Sequence, residues 1–233
     1  MIAVIPAAGK GTRMASITGG GAKEMLPVNG KPVIAYAFEE AQEAQVDEIV
    51  LVSSPLKAEL NEFFRQLDYP KRLVIQPEPT GLAAAVVLAG LSQEALVILP
   101  DALYHPGKPS ARIARILSEG YDVVLFTENV ADSQVRRYGI YEPANTRILE
   151  KPLPTETESR HAIGGRYGFS SIALKLMAMS LFNDPQSDLP LTPTINDAIR
   201  QGLEVFHLEA NVAERRYDCG SVRGYRKAVK EVS

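Results

Sequence analysis

A short apolar run, Ile2-Ala3-Val4-Ile5, leads straight into Ala7-Ala8-Gly9-Lys10-Gly11-Thr12-Arg13, and few folds accommodate that junction. The β-branched run reads as a buried strand. A buried strand that ends in a glycine-rich turn presents backbone N–H groups at the carboxyl edge of its sheet. Such a turn holds anions, because successive N–H dipoles converge and no Cβ blocks the approach of a phosphate. Arg13 and Lys23 add positive charge beside it. Arg offers phosphate oxygens a planar fork, and Lys offers a mobile point charge. The opening segment is therefore suited to a polyphosphate, with Ala8, Gly9, Gly11 and Thr12 as its candidate backbone contacts.

Two common phosphate-binding patterns are excluded. A dinucleotide fingerprint needs a third glycine, and Met14 occupies that position. The second candidate strand, residues 48–52, ends in Ser53-Ser54 without the acidic residue expected for a ribose. A Walker A loop needs Gly-Lys-Ser/Thr, but the chain's Gly-Lys pairs are followed by Gly11, Pro32 and Pro109.

Beyond the first strand, helical and extended patterns alternate. Helices are expected at residues 32–44, 56–66, 82–91 and 110–118, and strands at 48–52, 73–76, 95–99 and 122–127. Such alternation predicts an α/β fold with a doubly wound, mostly parallel sheet, whose ligands bind beyond the strands' carboxyl ends. After Thr127 the rhythm changes. Residues 135–141, 147–150 and 163–169 read as strands without long crossover helices, and 152–159 as an exposed, proline-containing loop. The chain of 233 residues is read as a single domain of two halves, 1–127 and 128–233.

Charge and composition narrow the partners. A net charge of −3 argues against nucleic acid or an anionic membrane surface. No run is long enough to span a bilayer, and no signal peptide precedes the first strand. Cys219 is the only cysteine, which points to a reducing cytoplasm. His105, His161 and His207 lie far apart with no ligand spacing, which argues against zinc. His161 has no acid partner in sequence reach, and Cys219 has no nearby histidine, so neither is assigned a chemical role.

Several further positions carry candidate chemistry, each with an ordinary structural alternative. Gln76 could meet the imide edge of a pyrimidine through its amide, with Gly81 allowing close backbone approach, or the segment could be a plain strand-to-helix turn. Asp101, at the end of the apolar run 96–99, could help hold a hard divalent cation or cap a turn. Asp218 offers a second carboxylate, or a cap for the helix that follows. Glu150 and Lys151 could be an ordinary surface pair.

Taken together, these segments resemble the sugar-1-phosphate nucleotidylyltransferases, the nucleotide-sugar pyrophosphorylases. That family opens with Gly-x-Gly-Thr-Arg and continues, after a gap, with Pro-Lys-x-Met/Leu-Leu-Pro. Here the residues are Gly9-Lys10-Gly11-Thr12-Arg13 and Lys23-Glu24-Met25-Leu26-Pro27, with Ser16 and Ala22 where prolines are usual. The Met-Leu-Pro ending and Asp218-Cys219-Gly220 look most like the glucose-1-phosphate uridylyltransferase branch; Gln76-Pro77 with Gly81-Leu82-Ala83 looks most like the thymidylyltransferase branch.

The resemblance implies transfer of a nucleotidyl group from UTP or dTTP to a sugar 1-phosphate, glucose 1-phosphate first, with release of pyrophosphate. It implies that Gln76 and Gly81 contact the pyrimidine and that Asp101 and Asp218 share one Mg²⁺. Lys151 would bind the sugar phosphate, and Glu150 the sugar hydroxyls. Tyr138, Gly139, Gly165 and Tyr167 would line the sugar pocket, and Arg13, Lys23 and Lys151 would do the catalytic work. By the same resemblance, residues 1–127 are the nucleotide-binding half and 128–233 the smaller, sugar-binding half. Many relatives carry further C-terminal helices used in oligomer contacts, whereas here one candidate helix, residues 222–232, ends the sequence; the usual oligomer is therefore not carried over, and a homo-oligomer stays an open expectation. Rival readings are a glycosyltransferase, disfavoured because Ala102-Leu103 follow Asp101 where a second aspartate is usual, a non-catalytic nucleotide- or sugar-binding regulatory domain, and a transferase using another NTP or sugar phosphate.

Overall fold

A computed structural model describes residues 1–78, 80–90, 93–183 and 190–232. In chain order it runs β1 (Ile2–Pro6), α1 (Ala15–Thr18), β2 (Pro27–Val28), β3 (Lys31–Pro32), α2 (Val33–Glu43), β4 (Glu48–Ser53) and α3 (Ala58–Arg65). Then come β5 (Lys71–Ile75), α4 (Leu82–Gly90), β6 (Ala95–Ile98), β7 (Ala102–Tyr104), α5 (Ser110–Ser118) and β8 (Val123–Asn129). The rest comprises β9 (Gly139–Glu142), β10 (Arg147–Glu150), β11 (His161–Phe169), α6 (Ser171–Asn183), α7 (Leu191–Arg200), β12 (Val205–Glu209), β13 (Arg216–Asp218) and α8 (Val222–Glu231).

The fold is α/β, built on one nine-stranded sheet. Strands β6, β1, β4 and β5 pair in parallel, as the alternation of helix and strand predicts. β11 then runs antiparallel to β8 along one edge and to β6 and β9 along the other, so both halves share the sheet.

The burial pattern explains why these segments became strands. Ile2 and Val4 face the core under α4, α6 and α7, whereas Ala3 and Ile5 face the core under α2, α3 and α5. The same alternation recurs in β4 and β6, so each central strand is apolar on both faces. None of these positions offers a polar group to either helical layer.

The structure corrects the expectations for the second half. Residues 135–137 lie in a 3₁₀ stretch, Asp132–Arg137, and the strand begins only at Gly139. Val135 is fully buried, which produced an apolar signal with no strand beneath it. Helices α6 and α7 do cross this half, and they pack on α4. The segment 152–159 is a loop, but Pro152 and Thr157 are buried. Leu91, the last residue of one expected helix, lies outside the described residues.

A small antiparallel ribbon stands apart from the main sheet. β13 pairs with β7, setting Asp218 opposite Ala102 and Tyr217 opposite Leu103. Its apolar side joins Val28, Val33 and Ala228 in a separate cluster under α8. Ser221 caps α8, accepting a hydrogen bond from the Gly224 N–H at 3.2 Å. No helix among the described residues is long and apolar enough to cross a membrane.

Candidate active site

At the carboxyl edge of the sheet, β1 delivers the glycine-rich turn. The Ala7 N–H still bonds Val52 O at 2.7 Å, after which the chain leaves the sheet. Gly11 takes φ +65°, and a 3₁₀ turn follows, closed by the Met14 N–H on Gly11 O at 2.9 Å. Met14, which stands where a dinucleotide fold would have glycine, is fully buried and anchors the turn. Gly9, Thr12 and Arg13 are left exposed.

The second 3₁₀ turn, Lys23–Met25, brings Lys23 back beneath the first, its side-chain carbons 3.7 Å from where a Gly11 Cβ would sit. Lys23 Nζ donates to Asp101 Oδ2 at 2.5 Å. Burial works against the Lys23 charge, but the Asp101 carboxylate outweighs it and raises the lysine above its ordinary value. Burial likewise opposes ionisation of Asp101, and Lys23, with Arg13 behind it, holds that carboxyl below its ordinary range.

Asp101 and Asp218 converge because of the ribbon. The register places them one step apart on facing strands, and the Cys219 N–H bonds Asp101 O at 2.8 Å. A Cβ on Gly220 would lie 2.7 Å from Asp101 Oδ2 and 3.2 Å from Asp218 Oδ1, so the glycine leaves the space between the carboxylates open. Two carboxylates on one space suit a Mg²⁺ ion that takes its remaining ligands from phosphates and water. Protein cations already approach both, Lys23 at Asp101 and Arg137 Nη2 at 3.5 Å from Asp218 Oδ2. Between them the Cys219 thiol is pushed up to about 12 by burial and then by the two aspartates, so it stays protonated and inert.

Two cavities meet here. The smaller, about 270 Å³, is lined by Ala8, Gly9, Lys23, Gln76, Gly81 and Asp101. The larger, about 620 Å³, is lined mostly by residues of the second half, Asp218 among them, with Arg13 and Asp101 contributed by the first. Asp101, Leu82 and Leu99 belong to both. All the sugar-side residues expected from the sequence, Tyr138, Gly139, Glu150, Lys151, Gly165 and Tyr167, line the larger one. Gly11 and Thr12 line neither cavity; their part is to shape the turn.

Gln76 is nearly buried and its amide nitrogen donates to Thr80 Oγ1 at 2.7 Å, which orients the amide at the rim of the smaller cavity. Pro79 of this segment lies outside the described residues. Lys151 adopts φ +48° directly after β10, and its N–H bonds Tyr138 O at 3.1 Å. Its Nζ lies 3.4 Å from Glu150 Oε1, while Thr192 Oγ1 donates to Glu150 Oε2 at 2.7 Å.

Three residues were given no role by the sequence reading. Lys57 is buried and donates to Ala7 O at 2.6 Å and Glu24 Oε2 at 2.8 Å, tying both pieces of the signature loop together. Burial lowers the Lys57 pKa despite Glu24. Arg216 lies on the larger cavity, its guanidinium 4.2 Å from the Tyr138 ring centroid and paired with Glu128. Arg166, between the sugar-pocket residues Gly165 and Tyr167, points into the core. It pairs with buried Glu40 at 2.8 Å and donates to Leu99 O at 2.9 Å. It thereby fixes the chain just before Asp101, where Gly165 at φ +78° leaves room for Ala102. For Lys57 the sequence offers only a lysine two residues after Pro55, beyond β4; the other contacts join distant segments.

The histidines also differ from expectation. The rings of His161 and His207 stand 4.6 Å apart, and His161 Nδ1 lies 3.2 Å from Glu209 Oε1. The acid partner missing from the sequence comes from β12.

A model of the nucleotidyl transferase family matches residues 2–233. UTP–glucose-1-phosphate uridylyltransferase YngB of Bacillus subtilis (strain 168) is 29% identical over 272 residues, covering 99% of this chain and 88% of that protein. A second UTP–glucose-1-phosphate uridylyltransferase of the same organism is 30% identical over 267 residues, covering 96% and 87%. Among solved structures, a UDP-glucose pyrophosphorylase complexed with UDP-glucose superposes with a TM-score of 0.84 at 26% identity, covering 98% of this chain and 97% of that one.

Proposed function

The chain belongs to the nucleotidyl transferase family, and on that premise we propose that it joins UTP to glucose 1-phosphate, giving UDP-glucose and pyrophosphate. The class of enzyme, a sugar-1-phosphate nucleotidylyltransferase, rests on the family match and on relatives along nearly the whole chain. One observation carries the assignment of substrates to cavities. A small cavity under the glycine-rich turn and a larger one in the second half meet at Asp101, with Asp218 across from it. In this reading the uridine enters the first, the sugar the second, and the phosphates meet over the acidic pair.

A phosphate oxygen of the sugar attacks the α-phosphorus in line with the departing pyrophosphate. That oxygen is already anionic at neutral pH, so no general base is required. The catalytic difficulty is the approach of two polyanions, which positioning and fixed charge relieve. Arg13, exposed at the rim, stabilises the leaving pyrophosphate. Lys23 neutralises charge shared by both reactants, and Lys151 holds the attacking phosphate. Asp101 and Asp218 would hold a Mg²⁺ ion, which when bound would supply further neutralisation of phosphate charge. Glu150, oriented by Thr192, accepts hydrogen bonds from sugar hydroxyls.

A thymidylyltransferase reading is favoured by the Gln76-Pro77 and Gly81-Leu82-Ala83 segment. The test is pyrophosphate release with Mg²⁺ and glucose 1-phosphate, run separately with UTP, dTTP, CTP, ATP and GTP. Fastest release with UTP supports the proposal, and fastest release with dTTP selects the second reading. Silence with all five rejects glucose 1-phosphate, and continued silence with other sugar phosphates favours a regulatory domain. Asp101→Asn and Asp218→Asn should each abolish turnover with the fold intact; a variant near full activity removes that residue from the metal site.

A further inference from the structure

On the face of the sheet that packs on α6 and α7, strands β11 and β12 bring His161, His207 and Glu209 together from distant parts of the chain. The order β11–β8–β12 does this, since β8 pairs with both neighbours. We propose that these three side chains form a second cation site, specific for a borderline transition metal of the Zn²⁺ class.

The geometry fits such an ion. One ligand atom from each residue lies within 4.8 Å of the others. Bonds of about 2.0–2.2 Å place ligand atoms of a tetrahedral zinc site roughly 3.4 Å apart. His161 Nδ1 and Glu209 Oε1, at 3.2 Å, already have that spacing. The Glu209 side chain is 52% exposed, so it can move to complete the set and leave a route for the ion and a fourth, water ligand.

Two details separate this cluster from ordinary packing. His161 Nδ1 is buried yet makes no hydrogen bond, although Glu209 is close. A buried polar atom without a partner is uncommon, and a shared cation would satisfy nitrogen and carboxylate together. His207 Nε2 is held by Thr127 Oγ1 at 2.6 Å, and Thr127 is fully buried in β8. Histidines that bind metals use the second ring nitrogen in this way, which orients the ring. Two imidazoles and one carboxylate select zinc-like ions over Mg²⁺, which prefers oxygen donors. The site is thus chemically distinct from the Asp101–Asp218 pair.

The test uses the full chain without a histidine tag, in millimolar Mg²⁺ so that the aspartates do not compete. Zn²⁺ is titrated against a chromophoric chelator, and Co²⁺ uptake is followed by its visible absorption. One equivalent of each should bind, and Zn²⁺ should raise the thermal midpoint. His161→Ala and Glu209→Gln should each weaken binding at least about tenfold, the loss that removing even an outer partner of a metal ligand brings. Glu209→Gln is half-exposed and serves as the decisive variant if the histidine change unfolds the protein. Absence of stoichiometric binding, or binding unchanged in Glu209→Gln and His161→Ala, overturns the proposal.

Discussion

Lys57 ties the signature loop together, and Lys57→Met removes its charge while keeping an unbranched side chain in place. The substitution leaves Glu24 with a buried, unpaired carboxylate, since the two side chains are only 9% and 2% exposed. Breaking a buried pair from one side costs about 3–5 kcal/mol, a large share of the roughly 5–15 kcal/mol that holds a domain folded. At about 2–4 °C per kcal/mol for a domain of this size, the midpoint should fall by roughly 6–20 °C. The second change, Glu24→Gln, should restore most of that loss, because burial already lowers the lysine's pKa and the ammonium is carried against its desolvation. The same sign means that this penalty eases as pH rises through the lowered Lys57 pKa. Activity should behave differently. Ala7 O loses its 2.6 Å donor in both variants, so the turn that holds the phosphates stays loosened and turnover stays low even where stability returns. Urea denaturation by circular dichroism and pyrophosphate release measure the two effects separately. A single variant within about 0.5 kcal/mol of wild type would place it with ordinary surface substitutions and refute the reasoning.

Three further outcomes are expected. Lys23→Ala should lower the rate roughly 10²–10³-fold, the usual loss for one transition-state charge contact, with the fold retained; an unchanged rate would relegate Lys23 to a structural partner of Asp101. Gly220→Ala needs no positive φ, yet its methyl would sit 2.7 Å from Asp101 Oδ2. Displacing a reacting group by about 1 Å costs on the order of 10²-fold, so kcat should fall about that much at an unchanged thermal midpoint, and near-normal turnover would show that the carboxylates do not need that space. Finally, Asp101 has a lowered folded pKa, so its ionised form supports the fold above the ordinary carboxylate range and that support is lost as pH falls through the lowered value. Asp101→Asn should flatten the acid side of a stability–pH curve, and a curve of unchanged shape would contradict the ion pair with Lys23.

The parallel core was legible because each of its strands carries a local signature, an apolar run closed by Pro, Gly or Ser. Helix α6 was not, because Ala173, Leu174, Met177 and Ala178 are all buried and apolar residues surround the helix, which leaves no polar face to reveal its period. Residues 135–137 misled for the opposite reason, since one buried valine in a tight turn imitates a strand. At the site, the glycine-rich turn and its charges could be read directly. The convergence of Asp101 and Asp218 could be expected only through the order of family motifs, because the β7–β13 ribbon that causes it joins residues over a hundred positions apart. Arg216 at Tyr138, and His161 at His207, depend in the same way on strand order, which no local pattern encodes.

β11 is hydrogen-bonded to β6 on one side and to β8 on the other. A hinge between the halves would have to tear a strand from its neighbour. The protein therefore cannot close on its substrates like a pair of jaws. Its two cavities, joined at Asp101, keep a fixed offset like marks on a ruler, graduated in interstrand steps of about 4.8 Å. A ligand of the wrong reach meets a fixed frame, and adjustment falls to the loops at its edge. Changes in substrate range should accordingly appear in those loops and leave the ladder around β11 untouched.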